Sequence, residues 1–155
     1  MQNISKVMMA IDLSEYSEMF IEFAANFAKQ INAELIATYV ISEMELKTTE
    51  RIANEYRSFS KNEYVSRLVE ENKDKISKIA QKIEKLNVTV QTSIKVGKIV
   101  EELRKEILDK KADIILMASK GRNDIADYVL GSCIRKILHL HLIPVVVFPV
   151  IEGQF

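Results

Sequence analysis

The chain has one cysteine, Cys133, among 155 residues. No intramolecular disulfide can form, and nothing points to an oxidising compartment. Long apolar runs are missing as well. The N-terminal run from Val7 to Ile11 meets Asp12 at once, whereas a membrane-spanning helix needs roughly 20 apolar residues and a signal core needs a longer run than this. The expectation is a soluble, unprocessed, cytoplasmic protein with no membrane partner. An excess of one charge is also absent: Lys+Arg and Asp+Glu balance at 22 each. A duplex binder displaces counterions with a basic surplus, so no nucleic-acid partner is expected. The chain holds four glycines, and neither G-x-x-x-x-G-K-[ST] nor G-x-G-x-x-G occurs, which argues against a P-loop and a standard dinucleotide fold.

What is present is an ordinary globular composition, 48% hydrophobic and 28% charged. A chain of this length buries roughly 70% of its unfolded surface, enough for a full core. No linker, repeat or low-complexity stretch interrupts it, so residues 1–155 are expected to form a single domain.

Val7 to Ile11 reads as a buried strand, followed by "DLSEYSE" with Ser14 as helix N-cap and Glu15 and Glu18 at the positive helix end. Phe20, Phe23, Ala24, Phe27, Ala28 and Ile31 then mark a helical apolar stripe. "AELIATYVIS" reads as a second strand. Residues 43–62 are polar and weakly periodic, a loop or loose helix, whereas Val65 through Leu86 predict a long amphipathic helix from about Glu63. "VTVQTSI" alternates as a third strand broken by Gly97, and Ile99, Val100, Leu103, Ile107 and Leu108 mark the next helix. "ADIILMA" is a fourth strand. Ile134, Ile137, Leu138 and Leu142 give a further helix, and "PVVVFPV" closes the chain as a fifth strand, with Pro144 and Pro149 at ends where no ladder donor is required. This alternation predicts a doubly wound, five-stranded parallel sheet with helices on both faces, an α/β fold of Rossmann-like type.

In such a sheet ligands bind beyond the carboxyl ends of the strands. That rule selects Asp12, Val40 to Ser42, Lys95 to Gly97, and the stretch "ASKGRNDIADYVLGSC" from Ala118 to Cys133. The third strand ends in "SIKVG" with no acid, so a phosphoacceptor receiver does not fit. His139 and His141, both placed on the last helix, sit two residues apart and face different ways. They read as structural, as does Cys133, for which no neighbouring base is visible. The long stretch differs because several requirements converge there. Gly121 and Gly131 let the backbone approach a ligand, Ser132 offers a hydroxyl at a helix start, and first-turn N–H groups face an anion. Lys120 and Arg122 are possible phosphate contacts; solvated surface charges are the plainer reading.

Taken together, "KVMMAIDLSEYSEMFIEFAANFA" and "ADIILMASKGRNDIADYVLGSCIRKILHLHLIPVVVF" resemble the first and closing blocks of the universal stress protein family. The resemblance spans essentially the whole chain, and its most specific element is G-x-x-G-x9-G-[ST] before a helix and a terminal "PV" strand. It implies a strand order of 3-2-1-4-5 and a site for ATP or another adenine nucleotide, with or without Mg²⁺ or Mn²⁺. The implied nucleotide-binding residues are Asp12, Val40, Met117, Ala118, Gly121, Gly131, Ser132 and Cys133. It also implies a homodimer through the strand from Pro144 to Val150, a stress-response or signalling role, and at most a weak ATPase.

Two positions depart from the family pattern. Ala118 replaces the first motif glycine. If that position needs positive φ, alanine costs on the order of 1 kcal/mol; if the missing Cβ makes room for ribose, the methyl excludes the ligand. Leu13 stands where many members carry glycine or a small residue. Three functions follow as alternatives: an adenine-nucleotide-binding dimer, a dimeric interaction module without nucleotide, and a slow hydrolase resting on Asp12 and Ser132.

Overall fold

A computed structural model of the protein describes residues 3–13, 17–55, 60–119 and 130–150. Ser14 and Glu15, expected at the first helix start, lie outside the described residues. So do the last residues of the chain.

The strands are β1 (Lys6–Ile11), β2 (Glu34–Ser42), β3 (Val90–Gly97), β4 (Ile114–Ala118) and β5 (Val145–Phe148). They form one parallel five-stranded sheet in the order β3-β2-β1-β4-β5, as the resemblance implied. The helices are α1 (Ser17–Gln30), α2 (Glu43–Glu55), α3 (Lys61–Glu84), α4 (Ile99–Lys110) and α5 (Ser132–His139).

Successive side chains along a strand point to opposite faces, and here each face has its own core. Val7, Met9 and Ile11 of β1 pack with Phe20, Ala24 and Ala28 of α1 and with Ile76, Ile79 and Ile83 of α3. Met8 of β1 packs on the other side with Leu103 and Ile107 of α4 and Ile134 and Ile137 of α5. Both faces of the central strands are therefore dry, which accounts for their nearly unbroken apolar sequences. Phe148 of β5 contacts Phe20 (ring centroids 5.8 Å apart) and Phe23 (5.1 Å), so aromatic packing ties the last strand to α1.

The structure refines several sequence expectations. Within the stretch 43–62, expected to be a loop or loose helix, Glu43–Glu55 form α2, whose start is held by Ser42 Oγ accepting from the Glu45 N–H at 3.1 Å. The Glu45 carboxylate in turn accepts from the buried Tyr39 hydroxyl at 2.8 Å. The S-x-x-E spacing of an N-cap was legible there, but the weak apolar periodicity concealed it. Helix α3 begins two residues earlier than expected because Ser60 and Glu63 form a reciprocal capping box. Strand β3 continues through Lys95 and Val96 to Gly97. At Gly97 φ is +152°, and an added Cβ would meet Glu102 Cγ at 3.2 Å.

The histidine reading needs a correction. His139 ends α5, but His141 lies beyond the helix with φ of 49°. A left-handed residue here turns the chain toward β5, because the helix stops at Leu140, whose N–H bonds back to Ile137 O at 3.1 Å.

Helix α4 also departs from its expected stripe. Leu108 is 50% exposed, whereas Glu106, a charged residue, points inward and is buried. Among the described residues no helix is long and apolar enough to cross a membrane.

Candidate functional site

The chain winds outward from β1 to β2 and β3 on one side, and from β4 to β5 on the other. Strands β1 and β4 are direct neighbours, with Met9 opposite Leu116. Their carboxyl ends define the crevice where strand order reverses, the position at which loops diverge and ligands enter such sheets.

Asp12 follows β1 directly. It is partly buried, and its Oδ2 is shielded from solvent. Met8 and Ala10 belong to the α4/α5 face, and Asp12 follows immediately after the strand ends at Ile11. Ile11, the residue before Asp12, pairs with Tyr39, the residue before Val40, and Val40 in turn pairs with Lys95. Val40 and Met117 are buried on the same α4/α5 face, and Cys133, partly buried, packs against that cluster. Of the residues named from the sequence, Val40, Met117 and Cys133 therefore share one side of the sheet.

Ala118 is different. It is the last residue of β4, paired with Phe148, and it packs against the core on the α1/α3 face. It is not among the residues with positive φ. The backbone penalty considered for an alanine here does not apply, and the methyl belongs to the face opposite Val40 and Met117.

Leu13 adopts a left-handed backbone with φ of 56° and rests its side chain on the α1/α3 core. A non-glycine residue in this region costs on the order of 1 kcal/mol. The strain sits one residue after Asp12, where the chain leaves the sheet.

Helix α5 starts at Ser132. Gly131 is its N-cap residue and, as a glycine, supplies no side-chain hydrogen bond to the helix start. First-turn N–H groups, which have no intrahelical acceptor, and the positive end of the helix dipole favour an anion. Gly131 has φ of −50° and ψ of 147°, an extended conformation open to any residue, so a glycine is not required there by backbone geometry. Gly131 is buried and Ser132 is exposed. Lys120, Gly121 and Arg122 lie outside the described residues.

The sequence reading passed over Ser119. Its N–H donates to Phe148 O at 2.7 Å, its carbonyl accepts from the Gly131 N–H at 3.2 Å, and its Oγ accepts from the Val150 N–H at 2.8 Å. One residue thus joins the end of β4 to the start of α5 and to the exit of β5. No spacing rule marks a serine for this.

A second polar group was also missed. Glu106 of α4 and Thr38 of β2 are each 1% exposed. Glu106 Oε2 pairs with Lys95 Nζ at 3.0 Å, while Glu106 Oε1 and Thr38 Oγ1 have no hydrogen-bond partner among the described residues. Also among the described residues, no group of three or more His, Cys, Asp or Glu side chains is placed to hold a metal ion.

A family model described as "Universal stress protein family" matches residues 3–149. The universal stress protein MJ0577 of Methanocaldococcus jannaschii is 29% identical over 150 residues, covering 92% of this chain and 93% of that protein. The solved structure of MJ0577 superposes with a TM-score of 0.81 at 28% identity, covering 98% of this chain and 100% of that chain. Two more distant solved structures show the same fold. One is a universal stress protein from Archaeoglobus fulgidus in complex with dAMP, with a TM-score of 0.63, 15% identity, and coverage of 94% of this chain and 98% of that chain. The other is a universal stress protein in complex with cAMP, with a TM-score of 0.61, 18% identity, and coverage of 96% and 98%.

Proposed function

The chain belongs to the universal stress protein family, and on that premise we propose that it binds an adenine nucleotide at the carboxyl ends of β1 and β4 and acts as a dimeric cytoplasmic stress-response or signalling protein. What supports this reading is topology: Asp12, with a solvent-shielded Oδ2, directly follows β1, the helix start at Gly131 and Ser132 is tied to the end of β4 through Ser119, and β1 and β4 are neighbouring strands. A nucleotide has matching ends. The α5 N–H groups and the Ser132 hydroxyl would hold phosphate, and Asp12 with the backbone near Val40 would hold the nucleoside. Met117, Ala118 and Cys133 would line the path between them, and Gly121, Lys120 and Arg122 are the remaining proposed contacts. Two relatives of this fold are described as complexes with dAMP and cAMP, which supports the class of ligand.

With Ala118 in extended backbone on the opposite face, the main objection to a nucleotide is weaker than the sequence suggested. A divalent ion accompanying the nucleotide would rely chiefly on phosphate oxygens, since among the described residues no group of three or more His, Cys, Asp or Glu side chains could hold a metal ion. The protein's own role is binding, with at most a weak ATPase.

Dimerisation is proposed through Pro144 to Val150. β5 is an edge strand, and Val145, Val146, Val147 and Phe148 are all only partly buried. An apolar edge of this kind invites pairing with another chain.

Isothermal titration of the purified protein with ATP, ADP and AMP, with and without Mg²⁺ or Mn²⁺, tests the reading. The expected result is saturable binding below the millimolar range that Asp12→Ala weakens. Absence of binding for all three nucleotides would leave the alternative, a dimeric interaction module without nucleotide.

A further inference from the structure

Ser119 is the described residue at which the proposed phosphate end and the proposed dimer edge meet. Two of its three hydrogen bonds to described residues use backbone atoms, to Phe148 O and from the Gly131 N–H, and any residue could make them. The third depends on the side chain: Oγ accepts from the N–H of Val150, a residue only 7% exposed. The hydroxyl therefore grips the chain just after β5, while the carbonyl of the same residue sets the distance between β4 and the N-terminus of α5.

We propose that Ser119 is a positioning residue that couples nucleotide at the α5 N-terminus to pairing of β5 with a second copy of this chain. This inference rests on the nucleotide-binding reading above. An anion on the first turn of α5 draws Gly131 into one position, Gly131 holds the Ser119 carbonyl, and Ser119 holds both Phe148 and Val150. Ordering one end therefore orders the other, and by linkage each event strengthens the other by the same factor. Ser119→Ala keeps both backbone bonds and removes only the link to Val150. Ser119→Thr keeps a hydroxyl at the same place.

The experiment is sedimentation velocity over a dilution series, with and without saturating ATP and Mg²⁺, on the wild-type chain, Ser119→Ala and Ser119→Thr. Titration calorimetry establishes nucleotide binding for each. In the wild type, ATP is expected to tighten the dimer by about fivefold or more, the lower range of typical coupling. In Ser119→Ala the ratio falls to about one, although both ATP binding and dimer formation remain measurable, and in Ser119→Thr the wild-type ratio returns. A wild type that binds ATP without change in its dimer constant overturns the inference and leaves the nucleotide reading intact, as does Ser119→Ala retaining the wild-type ratio. A wild type that binds no nucleotide overturns the nucleotide reading and the coupling with it.

Discussion

Lys95 Nζ lies 3.0 Å from Oε2 of Glu106, and the two partners sit in unequal surroundings, with side chains 37% and 1% exposed. The lysine reaches solvent at the open edge of the sheet, whereas the carboxylate is enclosed between α4 and strands β2 and β3.

Lys95→Met leaves a buried carboxylate without its cation. Breaking such a pair costs about 3–5 kcal/mol when both partners are fully buried, and the expected loss is at the lower end of that range because water reaches the Lys95 site. The double variant Lys95→Met with Glu106→Leu recovers most of the loss, since an apolar pair needs no compensation. Urea denaturation of the two variants checks this. A double variant no more stable than the single one contradicts it.

Ala118→Gly is expected to leave nucleotide affinity within about threefold of wild type and to lower stability by about 0.5–1 kcal/mol, the usual penalty of glycine within a strand. The alanine has ordinary strand geometry and packs on the α1/α3 face. A tenfold or greater gain in affinity by calorimetry would show that the methyl obstructs the ligand after all.

At Leu13, with φ of 56°, the usual order of substitutions inverts. Leu13→Ala loses packing against the α1/α3 core and keeps the left-handed strain, whereas Leu13→Gly loses the same packing but relieves about 1 kcal/mol of strain. Thermal unfolding is expected to rank Leu13→Gly as the more stable variant. The opposite rank would mean that the position is not strained.

Asp113 gives an acid-sensitive clasp at the amino ends of β1 and β4. Its Oδ2 accepts from the backbone N–H groups of Ser5 and Lys6, both at 2.9 Å, and from the Ser5 hydroxyl at 3.1 Å. The backbone bond from Ser5, then that from Lys6, hold its carboxyl below the ordinary value of 3.8. A depressed folded-state pKa stabilises the fold above the unfolded value. The stabilisation is full well above pH 3.8 and is lost as pH falls through the lower, folded value. Asp113→Asn should flatten that part of the stability–pH curve. An unchanged acid limb in equilibrium unfolding would assign the sensitivity to other carboxylates.

Much of the architecture was readable from local pattern. Apolar runs at Val7–Ile11 and in "ADIILMA", helical spacing in "MFIEFAANFA", and their strict alternation along the chain lead directly to a doubly wound sheet. The placement of the proposed site beyond the carboxyl ends of β1 and β4 follows from that topology. Capping chemistry at Ser60 with Glu63, and at Ser42 with Glu45, was also present in the residues, yet α2 was obscured because its face is weakly apolar and capping had to carry the signal alone.

What local pattern leaves open depends on partners distant in sequence. Glu106 lies inward, where Lys95 reaches it from β3, and Leu108 lies outward, an exchange that apolar periodicity does not record. The side to which Ala118 points depends on the register of β4 with β5, and Ser119 acquires its role only because β4, α5 and the end of β5 converge on it. Local sequence thus determined the elements and their order, through spacing and caps. The sheet register determined which face each site residue occupies, because a one-residue shift in a strand reverses every side chain along it.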